Sequence, residues 1–215
     1  MKNITIITAL IIIFSTHVMA QKSAEERINE NVELLSKVAD KKVWDAYVSG
    51  DYDFALKNWR PLAETGDATA QVNLGVMYNQ GHGVVQDDNE ALRWFKLASE
   101  QGYSPAQWRL AIMYKTGTGV TQNYEEAFKL FKLVAEQGDA YAQNTLGVMF
   151  SNGFGVPQDN IKAYLWFTVA ADSGYGFGAK EKERVSKEME TEDISTSQEM
   201  ASKCIQFNYK NCGEY

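Results

Sequence analysis

Side chains that could carry out acid–base, nucleophilic or metal chemistry are few in this sequence. Histidine, whose charge changes nearest to neutral pH, occurs only at His17 and His82. These two histidines are far apart, and no Gly-x-Ser-x-Gly or Ser-x-x-Lys motif accompanies them. They therefore supply neither a His-Glu-x-x-His zinc site nor a recognisable nucleophile. We predict no catalytic residue, no metal site and no cofactor, and we interpret His82 as a solvated loop residue.

Carboxylates and glycine-rich runs are more numerous, but their positions favour structural roles. Gly-x-Gly-Val occurs three times, beginning at Gly81, Gly117 and Gly153. A phosphate-binding loop would need a preceding strand and a Lys-Ser or Lys-Thr pair, which these runs lack. Carboxylates lie where helices are predicted to begin, at Asp87, Asp88, Glu90, Glu125 and Glu126. At such positions they are expected to cap helices rather than to act as catalytic acids or bases.

The only cysteines, Cys204 and Cys212, lie close together near the C-terminus. We predict a disulfide between them if the protein is exported to an oxidising compartment. Closing so short a loop removes about 2.5 kcal/mol of unfolded-state freedom, enough to fix a terminal helix in place. The alternative is a frayed tail with two unpaired thiols.

The first twenty residues have the features of a secretory signal peptide. Lys2 gives a positive start, residues 4–14 form a short apolar run, and Ala20 ends a Val-Met-Ala sequence typical of a cleavage site. The apolar run is shorter than the roughly 20 residues that span a bilayer, so cleavage is favoured over an uncleaved anchor. The mature chain is predicted to begin at Gln21, to be periplasmic or secreted, and not to insert into a membrane. Residues 21–42 are predicted to be a charged helix or a disordered segment.

The charge balance argues against nucleic acid as a partner. The chain has 21 Lys and Arg residues against 28 Asp and Glu residues, a formal net charge of −7. Without a basic run, it lacks the kind of surface that binds a phosphate backbone by releasing counterions. Anionic membrane surfaces are disfavoured for the same reason.

An internal repeat is the strongest pattern in the chain. Glycines recur every 36 residues, at Gly66, Gly102, Gly138 and Gly174, and the sequence between them aligns without gaps. Three units follow, at residues 66–101, 102–137 and 138–173. Besides the glycine that opens each unit, ten positions are identical in all three units and are represented in the first by Ala70, Gln71, Leu74, Met77, Gly81, Gly83, Val84, Gln86, Ala91 and Phe95.

Each unit is predicted to be two helices joined by a glycine-containing turn. In the first unit, Ala70, Leu74 and Met77 fall on one stripe of a first helix, and Ala91 and Phe95 fall on one stripe of a second. A single hairpin cannot bury both stripes, so consecutive hairpins must stack on one another. The predicted fold is all-α, an α/α superhelix (solenoid) of stacked helix-turn-helix repeats.

The two ends of this array require caps. Residues 43–65 are predicted to form an N-terminal capping half-repeat, with a kink at Pro61. Residues 174–215 are predicted to form a degenerate C-terminal capping repeat that contains the disulfide. Its last helix is expected from about Glu192 to Phe207.

The repeated sequence Ala-x-Ala-Gln-x-x-Leu-Gly-x-Met-Tyr-x-x-Gly-x-Gly-Val-x-Gln-Asp-x-x-x-Ala-x-x-Trp-Phe resembles the Sel1-like repeat, a relative of the tetratricopeptide repeat. The resemblance covers residues 50–174 and extends more loosely into the C-terminal tail. It implies a superhelix that scaffolds or regulates protein complexes. In bacteria such proteins are often exported and concerned with envelope signalling, motor assembly or host contact.

A surface for such a partner is expected on the first helices of the units, which should line the concave face. There the framework positions repeat while others vary from unit to unit. Trp108 and Arg109 are the strongest candidates, because Trp and Arg are enriched at binding hot spots. The predicted partner-binding residues are Asn73, Asn79, Trp108, Arg109, Lys115 and Asn144. The alternative for Trp108 is simple packing against the preceding hairpin.

The sequence therefore predicts an exported, non-catalytic and monomeric scaffold that binds another protein on its concave face. One alternative is an envelope enzyme, such as a β-lactam or cell-wall hydrolase. Another is a structural component of an envelope or motor assembly.

Overall fold

The computed structural model describes residues 40–210 and 212, and within these residues helices alternate with turns and no strand occurs. The predicted signal peptide, and most of the charged segment predicted at residues 21–42, lie outside the described part. Two compact units divide the chain between Asn58 and Trp59.

The first unit contains helix α1, described over residues 40–49, and the start of α2, Tyr52–Glu64. Gly50 turns the chain between them with a φ of 87°, and the Asp51 carboxylate accepts a hydrogen bond from the amide of Phe54. Tyr47 lies between the rings of Trp44 and Tyr52, at centroid distances of 5.6 and 5.5 Å. α2 then continues through Pro61 and ends three residues beyond it.

The second unit contains the remaining helices. They are α3 (Ala68–Gln80), α4 (Asp88–Glu100), α5 (Ser104–Thr116), α6 (Tyr124–Ala135), α7 (Ala140–Asn152), α8 (Asn160–Asp172), α9 (Gly176–Ser186) and α10 (Thr191–Gln206). Three antiparallel hairpins result, formed by α3 with α4, α5 with α6, and α7 with α8, and here called hairpins 1, 2 and 3. Each hairpin contacts the next, through α4 with α5 and through α6 with α7. The predicted all-α solenoid of stacked helical hairpins is confirmed.

Carboxylates and one amide start most of these helices, as the sequence predicts. Asp87 and Asn123 accept hydrogen bonds at their side-chain oxygens from the amides of Glu90 and Glu126, at 3.0 and 3.1 Å. Asp67, Asp139 and Asp159 do the same for α3, α7 and α8. Each cap satisfies an amide that has no partner within its helix, which is worth about 1 kcal/mol.

The turns inside the hairpins need both glycines of the Gly-x-Gly-Val runs. Gly81, Gly117 and Gly153 end the first helices in the left-handed conformation. The second glycine also allows the turn to approach the preceding hairpin. A β-carbon at Gly119 would lie 2.7 Å from the carbonyl oxygen of Asp88, and one at Gly155 would collide with the backbone of Tyr124. The turns of hairpins 2 and 3 therefore rest on the backbone of the hairpin before them.

The repeated apolar positions form the core. Leu74, Met77 and Ala91 are fully buried, and so are Phe131 and Leu146 in the following hairpins. Burying a Leu, Met or Phe side chain stabilises the fold by roughly 1.5–3 kcal/mol relative to leaving it exposed. Alanines at the helix contacts allow the helices to approach closely.

The C-terminal region departs from the hairpin pattern. α9 follows α8 in the stack, but α10 lies against α8 rather than pairing with α9. Cys204, in α10, forms the predicted disulfide with Cys212, and both sulfurs belong to buried residues. No described helix has the length and hydrophobicity needed to cross a membrane.

Candidate partner-binding surface

The described residues bring no metal-ligating cluster together. Within residues 40–210 and 212, no three side chains of the His, Cys, Asp and Glu types are placed to hold an ion. His82 is half-buried in the turn of hairpin 1. A candidate site must therefore be sought among surface side chains and clefts.

The buried glutamines of the repeat have structural partners. Gln71 donates from Nε2 to the carbonyl oxygen of Ala63 at 3.1 Å, and its Oε1 accepts from Gln101 at 2.9 Å. Gln107 accepts from Gln137 in the same way, at 2.8 Å. These bonds tie the ends of hairpins 1 and 2 to their own first helices. They also supply partners for the buried side-chain amides, which would destabilise the fold if left without hydrogen bonds.

Hairpin 3 breaks this series at one position. Ser173 stands where the earlier hairpins have Gln101 and Gln137. Its Oγ lies 3.4 Å from the hydroxyl of Tyr209, and Oε1 of Gln143 has no hydrogen-bond partner among the described residues.

Trp108 is half-buried near the middle of α5, where it joins two hairpins. Its ring meets Phe131 of its own hairpin edge to face at 5.1 Å. It meets Tyr141 of hairpin 3 in the same manner at 4.9 Å. The contacts thus run to α6 and to the following hairpin, whereas the packing alternative placed Trp108 against the preceding one.

An aromatic row continues from Trp108 along the stack. Tyr141 contacts Tyr175 at 5.5 Å, and Tyr175 contacts Phe177 at 5.7 Å. Tyr141 is 48% exposed and Phe177 is 61% exposed. A cleft of about 280 Å³ opens beside the start of the row, lined by Ser104, Pro105, Trp108, Val134, Asp139 and Tyr141. We call this cleft the Trp108 cleft.

Arg109, the next residue of α5, lines a different cleft. Its side chain is exposed and makes no salt bridge to the described residues. The cleft has a volume of about 170 Å³ and is lined by Asn79, Phe95, Arg109, Ile112, Met113, Thr116 and Thr118. Asn79, another predicted binding residue, donates from Nδ2 to Oδ1 of Asp88 at 2.8 Å and so also holds hairpin 1 together. The structure therefore brings Asn79 and Arg109 to one cleft.

The other predicted residues are dispersed along the first helices. Asn73 of α3 is half-buried, and Lys115, near the end of α5, is exposed. Asn144 of α7 is half-buried and its Oδ1 has no hydrogen-bond partner among the described residues. Asn73, Lys115 and Asn144 are not among the residues that line the Trp108 cleft or the cleft that contains Arg109.

Sequence reasoning missed the aromatic row beyond Trp108. Tyr141 and Tyr175 occupy the starts of the first helices α7 and α9. Their aromatic character was a usable signal, since exposed aromatic rings are enriched where proteins bind one another.

Comparison with known proteins identifies the repeat. The family model for the Sel1 repeat matches residues 68–103, 104–139 and 140–175. A comparison with curated proteins gave no match.

Solved structures with the same fold include two bacterial proteins. One is a protective antigen present in uropathogenic Escherichia coli strains and displaying an SLR fold. It is 28% identical over 73% of this chain, with a TM-score of 0.66. The other is a Sel1 repeat protein from Oxalobacter formigenes, 31% identical over 66% of this chain, with a TM-score of 0.60. The chain spans only 34% and 58% of the lengths of these two proteins. Because three consecutive family matches cover half of the sequence, the chain belongs to the Sel1 repeat family, whose members generally act as scaffolds for protein–protein interaction.

Proposed function

We propose that this protein is an exported, non-catalytic scaffold that binds a segment of another protein along the first helices of its hairpins. The surface comprises Asn73, Asn79, Trp108, Arg109, Lys115 and Asn144, together with the aromatic row Tyr141, Tyr175 and Phe177. The predicted concave face would be formed by these same helices. Direct contacts between the neighbouring first helices α3 and α5, and between α7 and α9, support this placement.

The observation that carries the proposal is the partly exposed aromatic row that begins at Trp108. Four rings from α5, α7 and the start of α9 follow one another at centroid distances of 4.9 to 5.7 Å. Rings held in this way lose little conformational freedom when a partner covers them, and truncating such anchors commonly costs 2 kcal/mol or more of binding energy. Arg109, exposed beside the row, adds a cation that can pair with a carboxylate of the partner.

Export is supported by two independent features of the chain. Residues 1–20 have the arrangement of a secretory signal peptide. The disulfide between Cys204 and Cys212 is of a kind that persists in oxidising compartments. Sequencing the N-terminus of the purified protein should find Gln21 if the signal is cleaved as proposed.

Site-specific photo-crosslinking in the native host tests the binding surface. A benzoylphenylalanine is placed at Arg109, at Lys115, or, as a control, at Lys96 on the exposed side of α4. We expect one polypeptide, identified by mass spectrometry, to be captured from Arg109 and Lys115 but not from Lys96. Trp108→Ala should reduce its capture from Lys115.

The proposal predicts a clear difference between parent and variants. If Trp108→Ala and Arg109→Ala each recover the same partner in the same amount as the parent, this surface is not the binding site. Circular dichroism of both variants would establish that a loss of capture is not a loss of folding.

A further inference from the structure

A groove lies between the end of α2 and α4 and is bordered by one residue of α3. Its lining residues are Ala63, Glu64, Thr65, Gly66, Gln71, Arg93, Trp94 and Leu97, and its volume is about 440 Å³. We call it the Trp94 groove. Apart from Gln71, its lining comes from α4, the end of α2 and the turn after it, and it shares no residue with the clefts of Trp108 and Arg109.

The same positions recur two repeats later, in hairpin 3. Ala135, Gly138, Gln143, Leu165, Trp166 and Val169 correspond there to Ala63, Gly66, Gln71, Arg93, Trp94 and Leu97. The chain fills this second copy itself, because α10 lies along α8. Ala201, Cys204 and Cys212 belong to the buried cluster that contains Trp166 and Val169.

Specific contacts fix α10 and the turn after it over hairpin 3. Gln198 donates from Nε2 to the hydroxyl of Tyr164 at 3.2 Å. The ring of Tyr209 lies 3.4 Å from the position that a β-carbon on Gly138 would occupy, and its hydroxyl reaches Ser173. The equivalent Gly66 has nothing within 4 Å of that position. An aromatic ring that rests on Gly138 in hairpin 3 therefore has no counterpart over Gly66.

The exposed fractions of equivalent side chains in hairpins 1 and 3 show which of them α10 covers. Val169 is fully buried under α10, whereas its counterpart Leu97 is 36% exposed. Trp94 is only 5% exposed even without a covering helix, close to the 2% of its counterpart Trp166. The apolar floor of the Trp94 groove is thus the small exposed part of the Trp94 indole, with the more exposed Leu97 at its edge.

Arg93 shields part of this floor. Its guanidinium lies 4.0 Å from the centroid of the Trp94 ring and donates to the Glu90 carboxylate at 2.6 Å. The hydrogen bond from Arg93 holds the pKa of Glu90 below its ordinary value. Leu165 stands at the corresponding position of hairpin 3 and is fully buried.

We propose that the Trp94 groove is a second docking site, which receives a short amphipathic helix of a partner protein in the way that the groove of hairpin 3 receives α10. The occupant presents small apolar side chains to Trp94 and Leu97, as α10 presents Ala201 and Cys204, and an aromatic ring to Gly66, as Tyr209 does to Gly138. Because Arg93 and Glu64 flank the groove, where hairpin 3 has Leu165 and Glu136, the occupant also carries a carboxylate opposite Arg93. The site goes beyond the proposed function and does not depend on it.

A peptide copy of the natural occupant provides the probe. A fluorescein-labelled peptide of residues 191–212, closed by its disulfide, is titrated with the full chain and followed by fluorescence anisotropy. The peptide should not displace α10, because the tethered helix has a far higher effective concentration at hairpin 3. We expect saturable binding that Leu97→Glu weakens about tenfold or more, since a carboxylate would be placed at the apolar edge of the groove.

Two further variants keep the result interpretable. Trp94→Leu gives hairpin 1 the residue that hairpin 2 has at Leu130, so it should fold while removing much of the groove floor and weakening binding. Leu133→Glu changes the equivalent exposed leucine of hairpin 2 and should leave binding within about twofold of the parent.

Three outcomes would overturn the proposal. The first is no saturable binding of the peptide to the full chain. The second is a loss with Leu133→Glu equal to or greater than that with Leu97→Glu, which would place the helix elsewhere. The third is concentration-dependent dimerisation of the chain alone, seen by light scattering and abolished by Leu97→Glu, which would make a second copy the occupant.

Discussion

Hairpins 1 and 3 share one framework but differ in what covers their second helices. In hairpin 3, α10 lies on α8, and Leu165 and Val169 are fully buried. In hairpin 1, Arg93 and Leu97 occupy the same positions on α4, and both are open to solvent. The residues repeated in all three units build both hairpins, and the difference lies at other positions, which include the outward ones and Ser173.

This difference shows that framework positions and outward positions of the repeat have separate structural roles. Framework positions such as Leu74 and Leu146 hold each hairpin together and are buried alike. The outward position of Leu165 and Arg93 follows the local cover, apolar under α10 and charged where no helix lies over it, whereas Leu97 is apolar and partly exposed. α8 is apolar over most of its surface between Ala163 and Ala170, and all of these residues except Thr168 are buried.

The largest expected effect comes from exchanging the residues of the two hairpins at one outward position. Leu165→Arg places a guanidinium under α10 without a buried partner, and we expect a loss of about 3 kcal/mol or more in the free energy of unfolding. The reciprocal variant Arg93→Leu should change it by no more than about 1 kcal/mol, because the site is exposed and the pair with Glu90 is largely solvated. Urea unfolding followed by circular dichroism measures both.

A similar loss of stability in the two variants would contradict the proposed difference in cover between hairpins 1 and 3. Such a result would mean that α10 does not keep water from Leu165 in solution.

The next effect concerns the disulfide that holds the end of α10. The double variant Cys204→Ser with Cys212→Ser should lose about 2.5 kcal/mol of stability, the closure entropy of so short a loop. Amide hydrogen exchange should then become faster in α8, and remain unchanged in α4, which has no such cover.

Reducing agent supplies the matched control for the disulfide. It should lower the melting temperature of the parent and have no effect on the double serine variant. Equal acceleration of exchange in α4 and α8 would show that the bridge stabilises the whole stack rather than the cover of hairpin 3.

The smallest effect is the pH dependence that the Arg93–Glu90 pair gives to hairpin 1. Because the Arg93 hydrogen bond lowers the pKa of Glu90 from its ordinary 4.5, the ion pair adds stability above that pH. The contribution is lost as the pH falls through the lowered pKa and the carboxylate becomes protonated. The pair is largely solvated, so its contribution should be less than about 1 kcal/mol.

Comparing the parent with Glu90→Gln between pH 3 and pH 7 by thermal unfolding measures this contribution. The variant should be slightly less stable at pH 7 and equally stable at the acid end. A difference that stayed constant with pH would show that the Arg93–Glu90 pair is not responsible, and Leu165 offers no equivalent pair in hairpin 3.

Most of the framework could be predicted from the sequence because it is repeated. The glycine spacing, the stripe containing Ala70, Leu74 and Met77, and the acidic starts of the helices are local signals that the structure reproduces. The disulfide could also be predicted, because Cys204 and Cys212 are the only candidates and lie close in sequence.

The placement of α10 could not be predicted in the same way. A helix near residues 192–207 was expected from the sequence, but its partner depends on contacts between segments far apart in the chain. Two signals pointed to α8: the apolar Leu165 in place of Arg93 and Lys129, and Ser173 in place of Gln101 and Gln137. Each is a departure from the repeat, and such departures are interpretable only when the covering helix is known.

The predicted binding surface remains a prediction, and the structure shows only where its residues lie. Trp108 and Arg109 do line clefts, but the rings of Tyr141, Tyr175 and Phe177 were not anticipated. Their alignment arises from stacking successive hairpins and has no counterpart within a single repeat.

The attachment of α10 to α8 limits how this protein can change in length during evolution. A duplicated 36-residue unit inserted between hairpins 1 and 2 would leave α7, α8 and α10 together as one closing block. The same insertion after Ser173 would carry α10 away from the helix whose outward side chains match it, and would leave Leu165 and Val169 facing water. New units are therefore expected to accumulate ahead of hairpin 3, and shorter or longer relatives should retain that block at their C-terminal end.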